Sequence, residues 1–149
     1  ILQPINPFLV AYTSNMRFPL NTLAKINIKA RIRATLLYSY ANTNNAIVIG
    51  TGNKTELVLG YFTKYGDGAV DILPIGNLYK HQVKEIATLL NIPQQIINKK
   101  PTAELYHNQS DEDELGISYE ELDHRLQTNK LTKEIINKNQ HKTKPIPML

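Results

Sequence analysis

The sequence predicts an α/β fold, a parallel sheet with helices on both faces, and three observations carry that prediction. Ala46-Ile47-Val48-Ile49 is a short unbroken apolar run of β-branched type, the composition of a strand covered on both sides. Gly50-Thr51-Gly52-Asn53 turns from it straight into a helix-forming stretch, so strand, loop and helix follow one another. Segments with apolar residues at helical spacing lie on either side of this unit.

Residues 1–10 mix aliphatic side chains with Pro4 and Pro7 and read as the end of a strand running into a loop. Asn27 is a candidate N-cap, and Ile28, Ile32, Leu36 and Ser39 recur at helical spacing, which predicts a helix over 28–41. Residues 42–45 make a turn before the 46–49 strand, and a second helix is expected over 54–60. A polar, glycine-bearing loop spans 64–71, and 72–75 is a short apolar segment leading to Gly76. Residues 78–90 form a third amphipathic helix ended by Asn91 and Pro93. Residues 93–97 make one helical turn, 99–102 a loop, and 118–126 a helix capped by Ser118 with Glu121 three places on. Residues 137–149, with His141, Lys142, Lys144, Pro145 and Pro147, are expected to form an exposed, mobile tail or flap.

Composition narrows the function. With 42% hydrophobic and 20% charged residues the chain is globular, and at 149 residues about two-thirds of its unfolded surface can be buried. The net charge of +4 and pI of about 9.2 raise the question of an anionic partner. The lysines are scattered, many of them near the end, and 111–114 is an acidic block, so no nucleic-acid partner is expected and a polyphosphate site fits better. Without cysteine there is no disulfide framework or thiolate chemistry. No apolar run approaches the ~20 residues a membrane helix needs, so no membrane partner is expected and a cytoplasmic location is the default. The chain opens on Ile1, not Met, and its natural beginning is expected to lie upstream.

Several motifs could carry chemistry, each beside a plainer reading. Gly50-Thr51-Gly52-Asn53-Lys54-Thr55-Glu56 could cradle anionic oxygens on backbone amides, with Thr51 donating a hydroxyl and Glu56 holding Mg²⁺ against a pyrophosphate. Asn53 and Glu56 also have the spacing of a capping box. The loop of Tyr61-Phe62-Thr63-Lys64-Tyr65-Gly66-Asp67-Gly68-Ala69-Val70-Asp71 crowds stacking, charge and backbone freedom together, or is a turn built on Asp-Gly. Lys80 could reach a phosphate or lie solvated on its helix. Pro101-Thr102 suits a helix start. The near-consecutive carboxylates of 109–116 cannot converge on one ion and favour a solvated acidic turn. His141 could be a base, a substrate contact or neither.

Taken in order, six runs resemble the NAD synthetase family. They are Asn27-Ile28-Lys29-Ala30-Arg31-Ile32-Arg33, Gly50-Thr51-Gly52-Asn53-Lys54-Thr55-Glu56-Leu57, Gly60-Tyr61-Phe62-Thr63-Lys64-Tyr65-Gly66-Asp67-Gly68, Asp71-Ile72-Leu73-Pro74-Ile75-Gly76, Lys99-Lys100-Pro101-Thr102-Ala103-Glu104-Leu105 and Gln109-Ser110-Asp111-Glu112-Asp113-Glu114-Leu115-Gly116-Ile117-Ser118-Tyr119. The resemblance implies that residues 1–149 are the carboxy-terminal portion of one adenine-nucleotide α-hydrolase-like (Rossmann-like) domain, incomplete because its N-terminal part is missing, and that 137–149 is its flap. It also implies a homodimer. By position, Thr51, Lys80 and Thr102 resemble the ATP contacts and Glu56 the Mg²⁺ ligand. Arg31, Lys64, Asp71, His141 and Lys142 resemble the contacts to deamido-NAD, with Tyr38 a weaker candidate.

The implied reaction joins a nicotinate carboxylate to AMP and then displaces AMP with ammonia, so no side-chain nucleophile is needed and no residue is assigned a covalent role. The family's Ser-Gly-Gly-x-Asp-Ser loop does not occur in this sequence and is expected upstream, so the 149 residues alone are expected to be inactive. Ile26 and Ala69 stand where the family often has glycine. No glutaminase domain is visible, which points to free ammonia as the nitrogen donor. The alternative is a truncated, non-catalytic remnant of the same fold that binds a nucleotide or a partner chain.

Overall fold

The structure, a computed structural model, describes residues 5–102, 109–130, 139–145 and 147–148. They fall into two compact units, Ile1–Gly50 with Phe62–Ile72, and Thr51–Tyr61 with Leu73–Leu149. Among the described residues no helix is long and apolar enough to cross a membrane.

In the first unit, α1 (Ile5–Ser14) packs on α2 (Thr22–Thr43). The strand end expected over 1–10 is therefore helical from Ile5, with residues 1–4 outside the described residues. Pro7 falls in the first helical turn, where a missing N–H costs no helical hydrogen bond. The second helix starts earlier than residue 28, because Asn21 is its N-cap and accepts from the Ala24 amide at 2.8 Å. Asn27 lies inside the helix and accepts from Thr63 Oγ1 at 2.9 Å.

The buried stripe of α2 consists of Ala30, Ala34 and Ala41, small residues at helical spacing. They let the backbone of 63–68 come close: a Cβ on Gly66 would lie 3.0 Å from Ala30 Cβ. Val48, Ile49 and Gly50 pair in parallel with 71–72, through the Ile49–Ile72 bridge, Asp71 N to Val48 O at 2.9 Å and Gly50 N to Ile72 O at 2.8 Å. Among the described residues this bridge is all that forms of the expected sheet. Val48 is buried, whereas Ile47 and Ile49 remain 63% and 61% exposed, so one side of the run is covered and the other is not.

The second unit holds α3 (Lys54–Leu59), α4 (Lys80–Leu89), α5 (Gln94–Ile97), α6 (Asp111–Leu115), α7 (Tyr119–Gln127) and α8 (Gln140–Thr143). Helix α7 packs against α3 and α4, and its Tyr119 and Leu122 bury with Leu59 to form the core. The 109–116 stretch is not a solvated turn. It forms α6, capped by Ser110, and Asp111 is only 6% exposed because the helix start turns it toward Tyr61 and Tyr119.

Within the expected flap, residues 139–143 are seated on the end of α3. Asn139 Nδ2 donates to Leu59 O at 3.2 Å and Lys142 Nζ to Gly60 O at 2.9 Å, which satisfies carbonyls the helix end leaves over. Gly60 closes α3 at φ 63°.

Candidate functional site

In the second unit the sequence places a carboxylate and an ammonium side by side. Glu56 is the third residue of α3, and its Oε2 accepts from Asn53 N at 3.0 Å while Asn53 Oδ1 accepts from Glu56 N at 3.1 Å. The capping box is therefore real, and it uses one carboxylate oxygen. The other, Oε1, lies 2.9 Å from Lys80 Nζ, with the two side chains only 17% and 21% exposed. A carboxylate has two oxygens, so the capping box leaves Oε1 for the ion pair with Lys80.

Tyr119 lies beneath this pair. Its ring centroid is 4.7 Å from Lys80 Nζ, and its hydroxyl is 3.2 Å from Asp111 Oδ2 and 3.4 Å from Glu56 Oε1. Tyr61 donates to Glu114 Oε2 at 2.6 Å and lies 3.3 Å from Asp111. Burial first, and then the neighbouring carboxylates, push both phenols far above the usual tyrosine range, so each stays a donor at neutral pH. Burial also raises Asp111, against hydrogen bonding from Tyr119 and the charge of Lys80.

Among the described residues no three His, Asp or Glu side chains converge as a metal cage. Glu56 could offer one hard oxygen ligand to a Mg²⁺ ion, beside a lysine that could meet phosphate. Thr51 is exposed at the turn into α3, and Thr102 is half-buried. A concavity of about 660 Å³ lined by His81, Ser118, Glu120, Glu121, Asp123, His124 and Gln127 includes none of Thr51, Glu56, Lys80 and Thr102.

In the first unit, one face of α2 meets the 62–72 loop. Arg31 Nε donates to Lys64 O at 3.3 Å, and Tyr38 Oη donates to Asp71 Oδ1 at 3.1 Å. Asp71 Oδ2 also accepts from Val48 N at 2.7 Å, so this carboxylate ties the loop to both the helix and the strand run. Burial and then Asp71 push the Tyr38 phenol up. Arg31, Lys64 and Asp71 thus belong to one local arrangement. His141 is exposed on α8, and Lys142 is engaged with Gly60.

Sequence reasoning missed Tyr119 and Asp123 as parts of the site. A signal was present: Tyr119, Leu122 and Asp123 share one helical face, and a carboxylate on a core-facing stripe must find buried donors.

A family model described as NAD synthase matches residues 1–147. The NH₃-dependent NAD⁺ synthetase of Archaeoglobus fulgidus is 58% identical over 104 residues, covering 70% of this chain and 42% of that protein. The enzyme of the same name from Pyrococcus furiosus is 47% identical over 135 residues, covering 89% and 52%. Among solved structures, the NMN synthetase of Francisella tularensis superposes with a TM-score of 0.83 at 39% identity, covering 99% of this chain and 63% of that one. The NH₃-dependent NAD synthetase of Campylobacter jejuni gives 0.66 at 32%, covering 97% and 62%. The chain shares the fold of these structures, and it spans about half the length of the curated relatives it matches, from 38% to 58%.

Proposed function

This chain belongs to the NAD synthase family, and from that premise we propose that it serves NAD biosynthesis as the carboxy-terminal part of an ATP- and Mg²⁺-dependent ligase that amidates deamido-NAD with ammonia. A carboxylate is a poor electrophile, so its oxygen first attacks the α-phosphorus of ATP and pyrophosphate leaves. Ammonia nitrogen then attacks the acyl carbon of the adenylate, AMP departs with the carboxylate oxygen, and the nitrogen sheds a proton to give the amide.

The observation that carries this reading is the Lys80–Glu56 pair at 2.9 Å. An ammonium and a carboxylate that neutralise each other can separate to take a phosphate oxygen and a hard cation, with no net charge left behind. Lys80 would bind the departing pyrophosphate together with Thr51 and Thr102, and Mg²⁺ held by Glu56 would supply charge neutralisation there. In the first unit, Arg31, Lys64 and Asp71 would hold deamido-NAD. The parallel pairing of 48–50 with 71–72 is then one rung of an adenine-nucleotide α-hydrolase-like parallel sheet. Phe8 and Tyr12, one turn apart on α1 and each more than half exposed, are taken as part of the surface a second copy would cover in a cytoplasmic homodimer.

The test is an amidation assay on the protein as expressed from its own gene, with ATP, Mg²⁺, ammonia and deamido-NAD. Equal yields of AMP, pyrophosphate and NAD are expected, and absence of all three would leave the non-catalytic remnant as the better reading. One observation favours a second substrate: the Francisella tularensis structure, an NMN synthetase, superposes at 0.83. Running nicotinate mononucleotide in parallel decides between the substrates by the ratio of kcat/KM.

A further inference from the structure

Resting on that reading, we propose that Asp123 and Thr55 form a positioning device that fixes the separation of Glu56 and Lys80. Asp123 is 2% exposed and Thr55 fully buried, yet neither belongs to the apolar core. Asp123 Oδ1 accepts from the Thr55 hydroxyl on α3. Its Oδ2 accepts from His81 N at 2.9 Å and sits 2.9 Å from His81 Nδ1, both on α4. Thr55 Oγ1 in turn accepts from Lys80 N at 3.3 Å.

Thr55 precedes Glu56 directly and His81 follows Lys80 directly. The buried network therefore clamps α3 to α4 at the residues adjoining the reactive pair, while the pair itself is exposed enough to meet ligands. Two α4 amides that the helix start leaves without helical partners, those of Lys80 and His81, are satisfied by Thr55 and Asp123. Tyr79 supplies no side-chain cap to this first turn, and its own amide donates to Gln82 Oε1 at 2.9 Å. Displacing α4 along α3 by ~1 Å would move Lys80 Nζ relative to Glu56, and misplacements of that size can cost on the order of 10²-fold in rate.

The test compares Thr55→Val, Thr55→Ser and Asp123→Asn in the full protein. The expected result is a rise of roughly 10–100-fold in the Mg²⁺ concentration giving half-maximal ATP–pyrophosphate exchange for Thr55→Val and Asp123→Asn. The KM for deamido-NAD should stay within about twofold, and Thr55→Ser, which keeps the hydroxyl, should behave as the parent. Amide hydrogen exchange reads the clamp without reference to activity: Lys80 and His81 should lose protection in the first and third variants and keep it in the second. If protection at these two amides is unchanged, or if melting temperature falls while the Mg²⁺ response does not move, the positioning role is overturned. A parent protein that makes no pyrophosphate but shows the exchange pattern would sink the proposed function and leave the clamp standing.

Discussion

The Lys80 ammonium lies 2.9 Å from the one oxygen of Glu56 that the α3 capping box leaves over. Glu56→Gln therefore separates two roles. The amide oxygen can still accept from Asn53 N, so the loss of stability should be about 1 kcal/mol. Adenylation, measured as ATP–pyrophosphate exchange, should fall by roughly 10²-fold, because an amide oxygen is a much weaker ligand for a hard cation. Unchanged exchange would return Glu56 to capping alone.

Asp71 accepts from Val48 N with one oxygen and from Tyr38 Oη with the other. Asp71→Ala removes both acceptors and should cost about 1–3 kcal/mol, whereas Asp71→Asn keeps one. If this carboxylate serves deamido-NAD, Asp71→Asn should raise the dinucleotide KM by roughly tenfold, the effect of one charge-assisted contact, and leave the KM for ATP nearly unmoved. Equal rises in both constants would contradict that assignment.

The helices over 54–59 and 119–127 were legible, because Asn53, Ser118 and Gly60 are local signals that need no tertiary context, whereas α6 was expected as a solvated turn. The start of α2 was not: Asn21 and Asn27 are equally good caps by residue type, and only the docking of Thr63 commits Asn27 to another bond. The helix over 5–14 was hidden by Pro7, which reads as a breaker unless it sits in a first turn. Glu56, Lys80 and Asp71 could be named from motifs, whereas Asp123 carried only the signal of a carboxylate on a core-facing helical stripe, and the burial of Asp123 and Asp111 depends on partners 68 and 50 residues away in sequence, Thr55 and Tyr61.

Gly60 and Gly116 make an internal control for the seating of α8. Both end short helices in the left-handed region, at φ 63° and 70°. An alanine Cβ at 116 would meet nothing within 4 Å, whereas at 60 it would lie 2.6 Å from Asn139 Cβ. Gly116→Ala should cost about 1–2 kcal/mol from backbone strain alone. Gly60→Ala should cost at least 1 kcal/mol more by urea denaturation, with a less-than-additive effect when combined with Asn139→Gly. Equal costs for the two alanines would mean that α8 does not rest on α3 in solution.

Asp111 supplies a pH signature whose sign can be worked out. Its folded pKa is raised above the ordinary value of 3.8, first by burial. Protonation is therefore favoured in the folded state, and the contribution of Asp111 to stability is fully present below 3.8 and lost as pH rises through the folded pKa. Asp113 and Glu121 act in the opposite sense: Lys100 and Arg125 lower their pKa values, so their contributions are present above the ordinary range and fade as pH falls. The whole-protein curve mixes these effects, so the quantity to measure is the difference in unfolding free energy between the parent and Asp111→Asn. That difference should move against the parent as pH increases from 3.8, because only the parent must ionise a buried group, while Tyr61 and Tyr119 remain protonated donors across the window. A flat difference would mean that Asp111 is solvated in the folded protein, and that the pocket of phenols beneath Lys80 is open to water.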